Sequence, residues 1–290
     1  MTAASQVDLH LHTTCSDGTL SPEALAREAA RRGLRVIAIT DHDSVAGVAP
    51  AQVAGQALGL TVVPGIEAST ELDGEEIHLL GYGFDFRSAA FLHALAGFQQ
   101  ARRVRNSQIL ERLRGLGCGV EAERVAALSG GETVSRPHIA AAMVEAGHVA
   151  SIQEAFNRFL AQGKPAYVAG AAPPPGEVMA ALREAGAIVS IAHPSKLRGK
   201  DTLRKLVEAG LRGIEVYHID QTPTDVARFS ALARELGLLE TGGSDSHGPD
   251  SARPVEIGAV PVPEEVWERL EAELSGRASA GEPAPPRARA

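Results

Sequence analysis

Several shortages narrow the reading of this 290-residue chain before any motif is considered. It has two cysteines, Cys15 and Cys118, far apart and in no Cys-x-x-Cys spacing. A disulfide framework and a closed thiolate zinc site are therefore not its organising elements, and the usage suits a reducing compartment. No apolar run reaches the roughly 18 residues a membrane helix requires. The first residues also lack the basic-then-apolar pattern of a secretion signal. Basic residues do not outnumber acidic ones: 28 Lys and Arg against 36 Asp and Glu leave a net charge of −8. That balance argues against a grip on long duplex nucleic acid, while leaving room for a small phosphorylated ligand held by a few local cations. A cytoplasmic protein without membrane association is expected. Lysine is scarce, confined to Lys164, Lys196, Lys200 and Lys205.

What is present reads as an ordinary globular protein, 44% hydrophobic and 22% charged, long enough for one large barrel or two domains. The opening strand, V-D-L-H-L-H from Val7, alternates. Side chains at i and i+2 share a face in a strand, so Asp8, His10 and His12 should lie on one side and Val7, Leu9 and Leu11 on the other. Asp17 follows in a Ser-Asp-Gly turn. Ser21-Pro22-Glu23 opens a helix with an N-cap, a proline at the first position and an acid in the first turn, and Gly33 stops it. Val36–His42 begins as a continuous apolar run of the kind buried on both faces in a parallel sheet. A helix over about Val48–Leu58, a strand at Thr61–Pro64 and a fourth at Glu75–Gly81 complete an alternation that predicts a parallel α/β sheet.

From Ala89 to about Leu160 the periodicity is helical with no convincing strand, which predicts an inserted helical domain. Gly170–Gly176, with three consecutive prolines, is the natural return linker. Strands at Ala187–Ala192, Gly213–Tyr217, Leu238–Gly242 and Val255–Val260 alternate with helices around Asp201–Glu208, Thr224–Leu236 and Pro263–Leu274. The expected layout is a discontinuous barrel over 1–96 and 173–275, an insertion over 97–172 and a disordered tail over 276–290.

Six histidines, His10, His12, His42, His78, His193 and His247, lie in or at the ends of apolar strands. Asp17, Asp41, Asp43, Glu67 and Asp245 accompany them. One such histidine is more often a hydrogen-bonded structural residue than a ligand. In a closed parallel barrel, however, the strand C-termini converge on one rim. Gathering so many polar groups there without a strong partner is costly, and a metal cluster removes that cost. Imidazole with carboxylate suits zinc, manganese or iron.

The set D-L-H-L-H-T-T-x-S-D-G, T-D-H-D, G-I-E, H-L-L-G-Y, A-H-P and G-S-D-S-H-G resembles the PHP (polymerase and histidinol phosphatase) family over about residues 6–96 and 173–260. The resemblance implies an α/β fold, a distorted (β/α)7 TIM-like barrel, carrying a helical insertion domain. S-R-P-H, K-P-A-Y-V and A-H-P-S-K-L-R are similar to a bacterial branch that acts on nucleotides. That branch contains nucleoside 3′,5′-bisphosphate phosphatases and a 5′-to-3′ exonuclease of short RNA. Carried over by residue, the resemblance implies that His10, His12, Glu67 and Asp245 hold one divalent ion. Glu67 would bridge to a second with His78 and His193, and Asp17, His42 and His247 would hold a third. Two or three ions, Mn2+, Zn2+ or Fe2+, would activate water for attack on phosphorus, with no protein nucleophile.

Asp41, Asp43 or His218 could orient ligands. Arg136 with His138, and Lys196 with Arg198, are the candidates for binding the phosphate not under attack. Arg102, Arg103 and Arg105 read as a solvated helix face, His93 and His148 as surface residues, and Cys15 as packing. The expected activity is release of the 3′-phosphate from a nucleoside 3′,5′-bisphosphate, with short RNA, AMP or histidinol phosphate as alternatives. An amidohydrolase would want a bridging lysine, yet the first lysine is Lys164 and Glu67 takes the bridging place. A non-catalytic PHP scaffold would be expected to lose ligands, and none of the nine is missing.

Overall fold

The computed structural model describes residues 6–129, 133–170, 172–199, 201–251 and 253–279. Seven strands, β1 (Val7–Leu11), β2 (Val36–Ile39), β3 (Thr61–Leu72), β4 (Glu75–Tyr82), β5 (Ile188–Ile191), β6 (Gly213–His218) and β7 (Leu239–Gly243), form one sheet in chain order. The sheet nearly closes on itself. Leu11 bridges to Ser246 just beyond β7, His12 donates its amide to Ser246 O at 3.0 Å, and Asp245 donates to His10 O at 3.0 Å. Helices α1 (Pro22–Arg31) and α2 (Val48–Leu58) make the first two crossovers. Ser21 caps α1 by accepting from the Ala24 amide, and Gly59 ends α2 with a left-handed φ of 67°.

After β4 come α3 (Ala89–Gly115), α4 (Ala122–Ser129), α5 (Arg136–Glu145) and the short α6 (Ile152–Ala155), which runs into a π-helical turn at Phe156–Leu160. Then α7 (Pro175–Glu184), α8 (Thr202–Glu208), α9 (Pro223–Leu236) and α10 (Glu264–Ser279) alternate with the remaining strands. No helix among the described residues is long and apolar enough to cross a membrane.

Three expectations are corrected. First, the sheet is not wholly parallel: β4 runs antiparallel to both β3 and β5. β3 continues past Pro64 to Leu72, and Asp73 and Gly74, with φ of 53° and 78°, turn it back. Two consecutive left-handed residues make the tight turn whose twist matches a hairpin, and Asp-Gly is its usual sequence. Because β4 is reversed, its beginning lies at the rim where the parallel strands end, which is how His78 arrives there. Second, there is no strand at Val255–Val260 among the described residues. Val260 and Val262 are buried as loop anchors against Val266 and Leu270 of α10. Third, α10 extends to Ser279, so the start of the expected tail is helical, and 280–290 lie outside the described residues.

Alternate residues of β2 fall in different apolar clusters, Ile37 and Ile39 with α1, α2 and α7, and Val36 and Ala38 with α10. Burial on both faces explains the continuous apolar run. In β1 the register shifts between Asp8 and Leu11, so Leu11 joins a different cluster from Val7 and Leu9 and simple alternation is broken. The insertion has its own core of Ile109, Met143, Leu160 and Val168. Helix α3 serves both, giving Phe91, Leu95 and Phe98 to the barrel and Ile109 and Leu113 to the insertion. The expected boundary at 96/97 thus falls inside one continuous helix.

Closure is tight at Gly243, where a methyl group would collide with the backbone nitrogen and Cβ of His10 and with Asp8. Gly243→Ala should destabilise the protein by about 1–3 kcal/mol through overpacking. Gly97→Ala, within α3 with open space around it, should be neutral or stabilising by up to about 1 kcal/mol. Urea unfolding of both variants checks this, and equal midpoints would contradict it.

Candidate metal centre

Glu67 stands in the middle of the rim. Its Oε2 lies 3.2 Å from His10 Nε2, His12 Nε2 and His42 Nδ1. Its Oε1 lies 2.8 Å from His78 Nδ1 and 3.1 Å from His193 Nε2. Asp245 Oδ1 adds contacts of 3.4 Å to His10 Nε2 and 3.2 Å to His12 Nε2. Asp17 Oδ1 is 3.3 Å from His247 Nε2, and its Oδ2 is 3.9 Å from His42 Nε2.

Donor atoms within 4.8 Å of one another form distinct groups. His10, His12, Glu67 and Asp245 make one. Asp17, His42 and His247 make another, in which His12 also takes part. Glu67 and His78 group with His42, and His193 joins them through Glu67 Oε1 and through its ring, 5.2 Å from that of His78. A further group joins His10 to Glu215 and His218, so all nine residues named from the sequence are within one cluster, with His10, His12, His42 and Glu67 shared between groups.

The loops that carry these residues are held by buried acids. Asp41 accepts from the Thr13 amide, Thr13 Oγ1 and Ser16 Oγ, each at 2.7 Å, closing the turn that leads to Asp17. Asp8 accepts from the amides of Ser244 at 2.9 Å and Gly258 at 2.8 Å, bracing the segment of Asp245. Glu215 accepts the His193 amide at 2.5 Å and sits 2.7 Å from His10 Nδ1. His218 Nε2 lies 3.3 Å from Asp245 Oδ2. Asp43, His193 and Asp245 adopt left-handed φ of 47°, 32° and 54°. Such strain costs roughly 1–3 kcal/mol per residue and gathers at functional sites.

Two participants escaped the sequence reading. Glu215 is a buried acid inside β6, and Gly213–Glu215 repeats the Gly-Ile-Glu of Gly65–Glu67. Glu76 precedes His78 by two residues and lies 3.6 Å from its Nε2. The arginines of α3 also need correction. Arg105 is buried and bonds Glu76 at 3.2 Å, and Arg102 bonds Asp43 and Ser69. Only Arg103 is solvated, paired with Gln100.

The donor set fits divalent cations. His10 Nε2, both nitrogens of His12, His42 Nδ1 and Asp17 Oδ1 are buried without a hydrogen-bond partner, although carboxylate oxygens and imidazoles face them. Lone pairs left unpaired and aimed at a common space are costly unless a cation takes them. The outward nitrogen of His10 is fixed by Glu215, as expected of a ligating imidazole.

Two cavities adjoin the cluster. One of about 160 Å³ is lined by Asp17, His42, His78, His247, Arg102 and Arg136, among others. The second, about 360 Å³, holds Glu76, His78, Arg136, His193, Lys196 and Arg198 in its walls. Three of the four expected substrate-binding residues thus share one cleft. His138 caps α5 instead, its Nδ1 accepting from the Ser135 amide at 3.0 Å.

Burial disfavours charge on every member, but the mutual fields divide them. Burial alone would push His12 down; the carboxylates of Asp245 and Glu67, each 3.2 Å from its Nε2, outweigh it and lift His12 to about 10. His78 rises against burial to about 9 through Glu67 and Glu76. Burial prevails at His42, which falls to about 3, and at His193, which falls to about 4. At pH 7 a metal-free centre therefore holds protons on His12 and His78, and on His10, which Glu215, Asp245 and Glu67 lift well above its ordinary value against burial. Loading with Mn2+ at pH 7 should release more than two protons, and affinity should rise with pH through about 9–10. Calorimetry in buffers of different ionisation enthalpy checks this, and heats independent of buffer would contradict it.

The PHP domain profile matches residues 8–163, more than half the chain. The chain is 34% identical over 253 residues to the 5′-3′ exoribonuclease Rnm of Escherichia coli strain K12, covering 83% of this chain and 85% of that protein. It is 30% identical over 287 residues to the 3′,5′-nucleoside bisphosphate phosphatase of Chromobacterium violaceum, covering 93% and 98%. It is 37% identical over 251 residues to the phosphoribosyl 1,2-cyclic phosphate 1,2-diphosphodiesterase of Eggerthella lenta, covering 83% and 94%. Among solved structures, a Bifidobacterium adolescentis protein described as a metal-dependent phosphoesterase superposes with a TM-score of 0.83 at 31% identity, covering 93% of this chain and 96% of that one. A seven-stranded, nearly closed barrel with a carboxylate-centred histidine cluster, matched by this family over most of its length, belongs to the PHP family, and the chain is a metal-dependent phosphoesterase of that family.

Proposed function

We propose that the protein removes the 3′-phosphate from nucleoside 3′,5′-bisphosphates, leaving a 5′-mononucleotide. The observation that carries this reading is the place of Arg136, which lines both the cavity beside Asp17, His42 and His247 and the cleft beside Lys196 and Arg198. A substrate with two phosphates can then present one to the metal cluster and the other to cations. Glu76 Oε2 takes one donor of Arg136 at 2.6 Å. A guanidinium has five, so others remain for phosphate. His138 is taken up by the cap of α5 and lines neither cavity, so Arg136, Lys196 and Arg198 are the cations left for the distal phosphate.

His10, His12, Glu67 and Asp245 would hold one ion, Glu67, His78 and His193 a second, and Asp17, His42 and His247 a third, with Mn2+, Zn2+ or Fe2+ fitting the donors. Such ions supply an activated water and neutralise phosphoryl oxygens. The chain's own part is to hold the ligands in register through Asp8, Asp41 and Glu215, and to orient the substrate through its distal phosphate.

A second reading, 5′-3′ exonucleolysis of short RNA, is favoured by Phe156, which lines both cavities and offers a face on which a base can stack. The relative from E. coli bears that name. A panel of pAp, AMP, histidinol phosphate, phosphoribosyl 1,2-cyclic phosphate and 5′-phosphorylated RNA of a few nucleotides separates the readings. The highest kcat/KM is expected on pAp, abolished by EDTA and restored by Mn2+. Turnover of histidinol phosphate with none of any nucleotide would sink the proposal.

Arg136→Ala should raise KM for pAp about 10- to 100-fold, the worth of one or two hydrogen bonds to a charged group. KM for AMP should change much less. Steady-state kinetics on both substrates tests this, and equal effects would remove Arg136 from the distal phosphate.

A further inference from the structure

Where α3 passes the metal rim, Gln99, Arg102, Arg105 and Asn106 recur at the three- and four-residue spacing of one helix face. All four are engaged. Gln99 Nε2 donates to Asp43 O at 3.0 Å, Arg105 donates to Glu76, and Asn106 Nδ2 donates to Val134 O at 2.9 Å. Arg102 makes the densest set. Its Nε donates to Asp43 Oδ2 at 2.7 Å, and its Nη2 donates both to Asp43 and to Ser69 Oγ, the latter at 2.5 Å.

The partners of Arg102 are next to metal-ligand candidates. Asp43 follows His42, holds a left-handed φ of 47°, and ties its amide to Glu67 O at 3.0 Å. Its Oδ1 accepts the Ser69 amide at 2.9 Å. Ser69 in turn lies opposite His78 in the β3–β4 ladder. One guanidinium therefore joins the residue after His42 to the residue facing His78. The side chains of Arg102 and Asp43 are 13% and 3% exposed, so neither is a solvated surface charge.

We propose that Arg102 is a positioning residue: through Asp43 and Ser69 it fixes His42, and so sets the affinity of the metal position formed by Asp17, His42 and His247. The inference rests on the metal assignment given under Proposed function. It uses the planar fork of the guanidinium, which holds Asp43 and Ser69 in one fixed geometry that a single rotating ammonium does not impose. Removing it frees a buried carboxylate and a left-handed turn at once, both of which hold His42 in place.

The test uses the full chain, stripped of metal and titrated with Mn2+ by calorimetry and by electron paramagnetic resonance. Wild type, His42→Ala, Arg102→Ala and Arg102→Lys are compared, with thermal unfolding as a check on folding. His42→Ala should remove one class of Mn2+. Arg102→Ala should weaken that same class about 10-fold or more, as loss of a residue that orients a ligand does, and leave the others within about twofold. With pAp as substrate, kcat should fall more than KM rises, and Arg102→Lys should recover part of the loss.

Unchanged Mn2+ binding with a raised KM would overturn the proposal in favour of direct contact with substrate, since Arg102 also lines the smaller cavity. Uniform weakening of every Mn2+ class with a lowered melting temperature in both Arg102 variants would overturn it in favour of a purely structural role. Mn2+ titrations unaltered by His42→Ala would overturn the metal assignment itself, and the role of Arg102 with it.

Discussion

A carboxylate buried among five imidazoles is the constraint to which the rest of this protein answers. Burial alone would raise Glu67, yet His42, His10 and His78 hold it well below the usual carboxylate range. None of these partners is a sequence neighbour of another except the pair on β1. His10 and His12 enter from the first strand, and Asp245 and His247 from beyond the last. They meet only if the sheet curls until its edges touch. The Leu11–Ser246 bridge and the two backbone hydrogen bonds beside it are therefore both the seam of the barrel and the assembly of the site. Asp8 shows the same economy, with one buried carboxylate stitching β1 to Ser244 and to Gly258.

Rigidity at the rim has a visible cost. Of the non-glycine residues with left-handed φ, Asp43, His193 and Asp245 are at the centre, and Asp73 makes the β3–β4 turn. Each strained residue at the centre is held from more than one side. The His193 amide goes to Glu215, Asp245 is bonded through its amide to His10 O, and Asp43 is clasped by Gln99 and Arg102. Strain that persists only because its surroundings over-determine it is what a preorganised site requires.

Much of this was legible in the sequence, for stateable reasons. β2 and α2 read correctly because a strand buried on both faces and a helix closed by Gly59 leave strong local signals. Six histidines and five acids stood out because polar groups at apolar strand ends demand a partner, and the PHP resemblance singles out nine of them as ligand candidates. The direction of β4 is not encoded in its apolar run but in the Asp73-Gly74 pair ahead of it, whose two left-handed residues reverse the chain. The arginines of α3 were misread for a deeper reason. A helix that leaves one core and enters another has no single apolar face: Phe91, Leu95 and Phe98 face the barrel, and Ile109 and Leu113 face the insertion. The charges between them look solvated in any periodicity count, and only tertiary placement shows that Asp43 and Glu76 wait opposite them.

The relatives bear on where specificity resides. Proteins 30–37% identical to this chain carry three different names for phosphate-ester hydrolysis. If the metal cluster served all three chemistries, discrimination would fall to groups that meet the substrate away from the bond being broken. In this chain such groups are few. Glu76 grips Arg136 and Arg105 while pointing toward His78, so it joins the barrel's catalytic rim to the insertion's cations. The spacing between metal and distal cation is then set by one strand, β4, on which Glu76 and His78 sit two residues apart and share a face. On the reading proposed above, a substrate whose two phosphates matched that spacing would gain both contacts, and one whose second charge lay elsewhere would gain only the first.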